Sequence, residues 1–587
     1  MNTLDLHDIQ GNIHRPYGRY GFPYARYLAF HINAGECAAG RFFIEQIRPH
    51  VTTAERWASS DVTPEEQKRL NLRDKPPVAI NIAFTWKGLA ALELPTATLR
   101  LMPDEFVEGM PARKTILGDL PISPSNPGSD PSNWDEVWRN SAEKESEAVH
   151  VLVMLNAQAD YANRGLPVAE LQQWTDWLRA LVRHDWLKDK VRLLKGHGRR
   201  PGGVVLPDDD YQDSNTVMAY GPDGETLFPQ PTEPFGFMDG ISDPFYAGQD
   251  GLPAGGGKIM PGPFDPSRSW SPLAAGEFLL GQPSEGQETP PASVPWEFTR
   301  NGTFMALRKL HQNTRTFDET MAMHAITYKE VGGFETLEDA AETLKAKMVG
   351  RWKNGIPLTA APTLADAEYR LKPFLPALAT ADAVRKGQLP KEAMTDEVKR
   401  KLAEYNDLLV NFRYADDPDG VKCPFGAHLR RVNPRDMLDP DPDNQKAKQT
   451  TTQLTNRRRI LRRGLPYGPV DPVEFEKSRQ DDQAEHGVFI MALCSSLFRQ
   501  FEFIQQQWIQ YGLDLDSGND ACPITGRRDK DNRQANKFVV PVDGDCGRAP
   551  FIAANLPQFV ETRGGEYFFI PSITALRMMA MGSVDPT

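Results

Sequence analysis

The sequence predicts an α+β fold built on antiparallel sheets. Two observations carry that reading. Short runs rich in aromatic and β-branched residues, each of strand length, recur from residue 24 to residue 570. Amphipathic runs of helical period lie between them, without the steady strand–helix alternation of a doubly wound parallel sheet. A third observation excludes the nucleotide-binding α/β classes: neither GxGxxG nor GxxxxGK[ST] occurs.

In chain order, strands are predicted at residues 24–32, 149–155, 276–281, 302–310, 487–493 and 566–570. Helices are predicted at residues 167–183, 337–351, 391–408 and 497–511. Pro167 suits a first helical position, where a missing N–H costs nothing. Phe501, Ile504 and Trp508 recur at helical spacing and so face a core. Residues 121–132 (PISPSNPGSDPS) have the composition of a surface loop. Residues 253–266 (PAGGGKIMPGPFDP) form the stronger candidate linker, dividing the chain into units at 1–255 and 256–587. Within the second unit, residues 360–418 mix short helices with proline breaks and read as an insertion.

Bulk properties narrow the function classes. At 587 residues the chain exceeds one ordinary domain, and 40% hydrophobic with 25% charged residues marks a soluble globular protein. No apolar run reaches the ~18 residues of a membrane span. The start, MNTLDLHDIQGN, has no basic segment followed by an apolar one, which predicts a cytoplasmic protein. A net charge of −12 argues against a nucleic-acid binder. Cys37, Cys423, Cys494, Cys522 and Cys546 are scattered, with no CxxC pair and no CxxCH. They read as reduced thiols, and any haem is not attached in the c-type manner.

Three segments bear chemistry. In Pro234-Phe-Gly-Phe-Met-Asp-Gly-Ile-Ser-Asp-Pro244, Asp239 sits among apolar residues, with glycines that permit a tight turn. If buried there, its pKa is expected to rise, giving a proton-exchanging group; an ordinary Asp-Gly turn is the competing reading. In Cys423-Pro-Phe-Gly-Ala-His-Leu-Arg-Arg-Val-Asn-Pro-Arg435, His428 is flanked by apolar residues that turn it inward. Histidine is a common metal and haem ligand, although a core histidine is commoner still. Arg430, Arg431 and Arg435 add positive charge, read either as a solvated face or as a partner for a haem propionate. In the third segment five arginines surround Ile460 and Leu461. Such a run is usually surface, and Arg462 is the best candidate to be drawn inside, where it could stabilise negative charge without exchanging a proton.

In combination these segments resemble the dye-decolourising peroxidase family. Gly236-Phe-Met-Asp-Gly240 matches its GxxDG signature. Ala427-His-Leu-Arg-Arg-Val-Asn-Pro-Arg435 is similar to its haem-ligand motif, and Ile460-Leu-Arg462 with Pro466-Tyr-Gly468 to its distal-arginine segment. Asp8-Ile-Gln-Gly-Asn12 and Arg563-Gly-Gly-Glu-Tyr-Phe-Phe-Ile-Pro-Ser572 resemble the family's two ends, so the likeness spans nearly the whole chain.

The resemblance implies two ferredoxin-like halves, with non-covalent haem b (iron protoporphyrin IX) held mainly by the C-terminal half. It implies His428 as proximal iron ligand, Asp239 as distal acid–base group and Arg462 as distal arginine. The implied activity is reduction of hydrogen peroxide with one-electron oxidation of aromatic donors such as dyes or phenols. A haem-binding or haem-handling protein with little turnover is the alternative. A haem histidine normally gives its second ring N–H to a carboxylate or carbonyl; Asp520, in Asn519-Asp-Ala-Cys-Pro-Ile524, is the candidate partner.

Overall fold

The first predicted strand forms over its predicted residues as β1 (Tyr24–Ile32), and all nine of its residues are buried. A strand covered on both faces must be apolar almost throughout, which is why this segment reads so clearly in the sequence. The structure is a computed structural model that describes residues 4–58, 62–70, 72–198, 209–249, 255–259, 270–289, 292–438, 452–531, 536–542 and 547–584. Around β1 the chain builds α1 (Cys37–Ile47), β2 (Val78–Phe84), β3 (Val151–Ala157), α2 (Ala169–Leu181) and β4 (Val191–Leu193). The strands lie in the order β4-β1-β3-β2, all antiparallel, which is the βαββαβ ferredoxin-like arrangement. A further strand, β5 (Gln212–Asn215), also pairs with β1.

The pattern repeats in the second half. There β6 (Thr303–Gln312) is followed by α3 (Thr314–Gly332), α4 (Leu337–Val349), β7 (Leu461–Arg463), β8 (Pro466–Tyr467) and β9 (Gly487–Cys494). Next comes a helical segment of two π-type stretches, Leu497–Glu502 and Ile504–Gln510, and then β10 (Val560–Ile570). The order β7-β9-β6-β10 is again that of a ferredoxin-like sheet. The two halves join edge to edge, where β10 meets β2 with Phe569 opposite Phe84, giving one ten-stranded sheet. The α+β class with antiparallel sheets is therefore the one observed.

Some local expectations fail for identifiable reasons. Residues 276–281 form a short 3-10 turn at Ala275–Glu277 rather than a strand. Gly281 takes a φ of 72°, which a ladder does not accommodate, and the Glu277 carboxylate is buried as the partner of Arg499 at 2.6 Å. Pro167 ends a two-residue strand pair with Ala159, and the helix starts at Ala169 instead. Strand β2 (VAINIAF) was not foreseen, although it is fully buried and central. The region predicted as an insertion contains three helices, Leu364–Leu371, Leu375–Arg385 and Asp396–Val410. Of the candidate linker, residues 253–254 and 260–266 lie outside the described residues, while Lys258–Ile259 pairs with Trp270–Ser271.

One buried cluster ties the halves together. Lys309 on β6 has no exposed side-chain surface. Its Nζ reaches Asp135 Oδ2 at 2.5 Å, Gln212 Oε1 at 2.8 Å and the His197 carbonyl at 3.0 Å from the first half, and Glu485 Oε2 at 3.1 Å from the second. Removing the cation strands a buried carboxylate. Lys309→Met is expected to lower the unfolding free energy by about 3–5 kcal/mol, read as a shift of the denaturant midpoint at unchanged slope; a loss under about 1 kcal/mol would show the cluster to be dispensable.

Candidate functional site

The sheet of the second half forms one wall of a cavity. Leu310 of β6, Ile490 and Ala492 of β9 and Val560 of β10 line it, two residues apart where they share a strand, as side chains on one face must be. Helical segments supply other lining: His428, Leu429 and Val432 from a short helix, His428–Val432, and Ile504 and Ile509 from the π-type stretch. The cavity volume is about 330 Å³, at the lower end of the range of roughly 300–1,000 Å³ for ligand pockets.

Asp239 enters this cavity on a tight loop. Gly236 and Gly240 on either side adopt φ of 91° and 82°, the left-handed region that favours glycine. The loop is organised by Glu233, whose carboxylate accepts from the backbone N–H of Phe235 and Phe237 at 3.0 Å each and from Gln312 Nε2 at 2.6 Å. Sequence reading missed Glu233. Asp239 itself is held between two guanidinium groups, Arg462 on Oδ1 and Arg19 on Oδ2, and Oδ1 also accepts from the Gly240 N–H at 2.7 Å. Burial pushes its pKa up, but the two arginines outweigh burial and hold it near about 2. The expected upward shift is thereby reversed. Arg19 lies far off in sequence, in a segment with no chemical signature, and only the fold reveals it.

Arg462 sits on the short edge strand β7. Its N–H donates to Asp243 Oδ1 at 3.0 Å, and Arg463 donates to Asp243 Oδ2 at 2.6 Å. Arg463 also donates to the carbonyls of Asn12 and Ile13, at 2.6 and 3.0 Å, so the N-terminal segment buttresses this strand. The Arg462 side chain is 40% exposed, and it lines the cavity.

His428 opens its helix after Ala427, and its ring borders the same cavity. Arg430 and Arg431 are fully buried and act as staples, which corrects both readings considered for them. Arg430 pairs with Asp417 at 2.9 Å, and Arg431 donates to the carbonyls of Gly426, Trp508, Tyr511 and Asp520. Arg435 does line the cavity, together with Arg351 and Arg459. Burial pulls all three guanidiniums down to about 10. Among the described residues none of the three has a carboxylate partner. Arg351 and Arg435 donate to main-chain carbonyls, and Arg459 Nη2 is buried without a hydrogen bond. Carbonyls satisfy donors without neutralising charge, so these arginines favour an anionic occupant of the cavity.

Asp520 does not reach His428. Its carboxylate faces Lys537 Nζ at 3.4 Å, and its carbonyl is taken by Arg431 at 2.7 Å. The group beside His428 Nδ1 is Cys522 Sγ, at 3.2 Å. Asp520 is therefore corrected as the proximal partner.

The donor set fits haem. The cavity lining brings together the His428 imidazole, apolar side chains, three buried guanidiniums and a carboxylate–guanidinium pair. No family model matches the chain. It is 27% identical to "Peroxidase 2" of Mycetinis scorodonius, the match covering 98% of this chain and 87% of that one. It is 26% identical to a dye-decolorizing peroxidase of Mycena epipterygia, over 99% and 88% of the two chains. In fold it is similar to a fungal DyP-type peroxidase from Auricularia auricula-judae, with a TM-score of 0.63 at 21% identity over 99% of this chain and 100% of the other. A dye-decolorizing peroxidase solved in complex with 2,6-dimethoxyphenol gives a TM-score of 0.63 at 22% identity, over 98% and 100%. Over nearly its full length, in sequence and in fold, this chain is similar to dye-decolourising peroxidases.

Proposed function

We propose that this peroxidase holds non-covalent haem b in the cavity, with His428 as the iron ligand, and that Asp239 and Arg462 act on hydrogen peroxide. One observation carries the reading: His428, Asp239, Arg462 and three buried arginines without carboxylate partners all border one cavity. Arg351, Arg435 and Arg459 would receive the propionates. Bound haem supplies the redox chemistry, passing to peroxide the electrons drawn from an organic donor.

The remaining work falls to side chains. Reducing one peroxide to two waters takes two protons and two electrons, the electrons coming from two one-electron donors. Asp239 can take a proton from one peroxide oxygen and return it to the other, directly or through one water. Because its pKa is low, the carboxyl gives its proton up readily. As the O–O bond breaks, negative charge grows on the leaving oxygen. Arg462, permanently charged, stabilises it. At ~5 Å and an effective dielectric of ~20 such a pair is worth roughly 3 kcal/mol, about two orders of magnitude in rate. For peroxide to reach Asp239, the Arg462 contact on Oδ1 must loosen, while Arg19 on Oδ2 can stay.

Phenols of the 2,6-dimethoxyphenol type are the proposed donors, since a relative of the same fold was solved with that molecule. A cytoplasmic location is the reading that Cys423, Cys494 and Cys522 favour, as buried free thiols. Among the described residues no helix is long and apolar enough to cross a membrane.

The purified protein reconstituted with haem is expected to oxidise 2,6-dimethoxyphenol only when peroxide is added. Asp239→Asn is expected to slow the peroxide reaction by about 10²–10⁴-fold, and Arg462→Leu by about 10²-fold. His428→Ala is expected to lose the parent's iron coordination spectrum. Equal peroxide reactivity in the parent and both distal variants would restore the haem-handling alternative.

The pH dependence follows from the sign of the Asp239 shift. A carboxylate whose folded pKa is depressed stabilises the fold above its unfolded value near 4, and that contribution is lost as pH falls through about 2. Removing one guanidinium raises the folded value. In Arg19→Leu, the acid limb of the peroxide reaction is expected to move up from about 2 toward the ordinary carboxylate range, as read from stopped-flow rates between pH 2 and 6. An unmoved limb would show that Arg19 does not set the charge state of Asp239.

A further inference from the structure

The proximal side departs from the usual carboxylate arrangement. His428 Nδ1 lies 3.2 Å from Cys522 Sγ, and this is the contact the ring nitrogen makes away from the cavity. The sulfur is buried, and its residue is pinned by the main chain. The Cys522 N–H donates to the Ile509 carbonyl at 2.7 Å. Its own carbonyl accepts from Gly526 N–H at 3.0 Å and from Arg528 Nη2 at 2.6 Å. Thr525 Oγ1 approaches the sulfur at 3.5 Å. The adjacent Arg431 donates to the Asp520 carbonyl at 2.7 Å and fixes the start of the turn. Sγ is thus held in place by contacts independent of His428.

We propose that Cys522 is the hydrogen-bond acceptor that positions the haem histidine of this enzyme, its sulfur taking the role a carboxylate would fill. The inference rests on His428 being the iron ligand. With Nε2 given to iron, the remaining ring proton sits on Nδ1 and is donated to Sγ. That bond fixes the tautomer and the ring rotation together. Sulfur is a weaker and more diffuse acceptor than a carboxylate oxygen. The imidazole therefore keeps more of its proton, donates less electron density to iron, and leaves the iron easier to reduce. Cys522 touches neither iron nor peroxide, so it is a positioning residue.

The test compares haem-loaded parent, Cys522→Ser, Cys522→Ala and Cys522→Asp. The readouts are the iron–histidine stretch of the ferrous protein by resonance Raman spectroscopy, the reduction potential, and haem affinity. Cys522→Asp is expected to raise the stretching frequency and lower the potential. Cys522→Ala is expected to lower the frequency and to weaken haem binding by about 10–100-fold, with Cys522→Ser closer to the parent than to Cys522→Ala. Cys522→Ser also guards against misfolding, because it preserves size and an acceptor. If the parent shows an iron–histidine stretch and Cys522→Ala leaves frequency, potential and affinity unchanged, the cysteine role is overturned and the ligand assignment stands. If the parent shows no such stretch, or His428→Ala retains it, the ligand assignment fails and the proposal falls with it.

Discussion

The site depends on one charge arrangement: a carboxylate, Asp239, gripped by Arg462 and Arg19 beside a cavity that three buried arginines also line. A buried guanidinium without a counter-charge is costly, and Arg351, Arg435 and Arg459 are three of them. The fold tolerates these charges because main-chain carbonyls take up donors of Arg351 and Arg435. The charge itself is left for an anion. The three buried arginines and the Asp239–Arg462 pair are therefore parts of one electrostatic arrangement, in which cations hold Asp239 ionised.

The sheet explains how such distant residues meet. Asp239 comes from a loop that follows the first βαββαβ unit, and Arg462 from the edge strand of the second. The loop is fastened to the second sheet through Glu233 and Gln312, the residue that ends β6. The edge strand is fastened through Arg463 to the N-terminal segment. Asp239 and Arg462 are thus each supported by a partner from the opposite half of the chain. That is why the Lys309 cluster, which does not itself line the cavity, bears on the site: it holds the two halves in register.

Much of this was legible in the sequence. The longest buried strands announce themselves because burial on both faces favours largely apolar residues, as in β1, where Arg26 and His31 are the charged or polar exceptions. Asp239, His428 and Arg462 stand in motif frames, and the fold brings all three to one cavity. Arg19 and Glu233 were not legible, because a residue that supports another through space leaves no local pattern. The pKa of Asp239 was misjudged for the same reason. Its sequence neighbours are apolar, and the groups that dominate its titration are two arginines from elsewhere in the chain. Arg430 and Arg431 looked like a basic surface and are instead buried staples. A count of charges cannot register that Arg431 donates to main-chain carbonyls and that Arg430 divides its donors between main-chain carbonyls, Met437 and the buried Asp417 carboxylate.

The Asp520–Cys522 choice shows what decides such a case. Both residues lie in one short turn, and on chemical grounds a carboxylate is the better partner for a ligand histidine. The backbone overrules the chemistry. Arg431, one turn along the helix that starts at His428, takes the carbonyl of Asp520, while the Cys522 N–H is taken by Ile509 of the π-type stretch. Those two anchors orient the turn so that the second residue after the aspartate faces the ring, and the carboxylate turns outward to Lys537. A π-type winding changes which residues of a helix fall on a given face, so the position of the Ile509 carbonyl does not follow from ordinary helical spacing. The identity of the group beside His428 Nδ1 is therefore a property of the helix winding and of one buried arginine, neither of which a motif records.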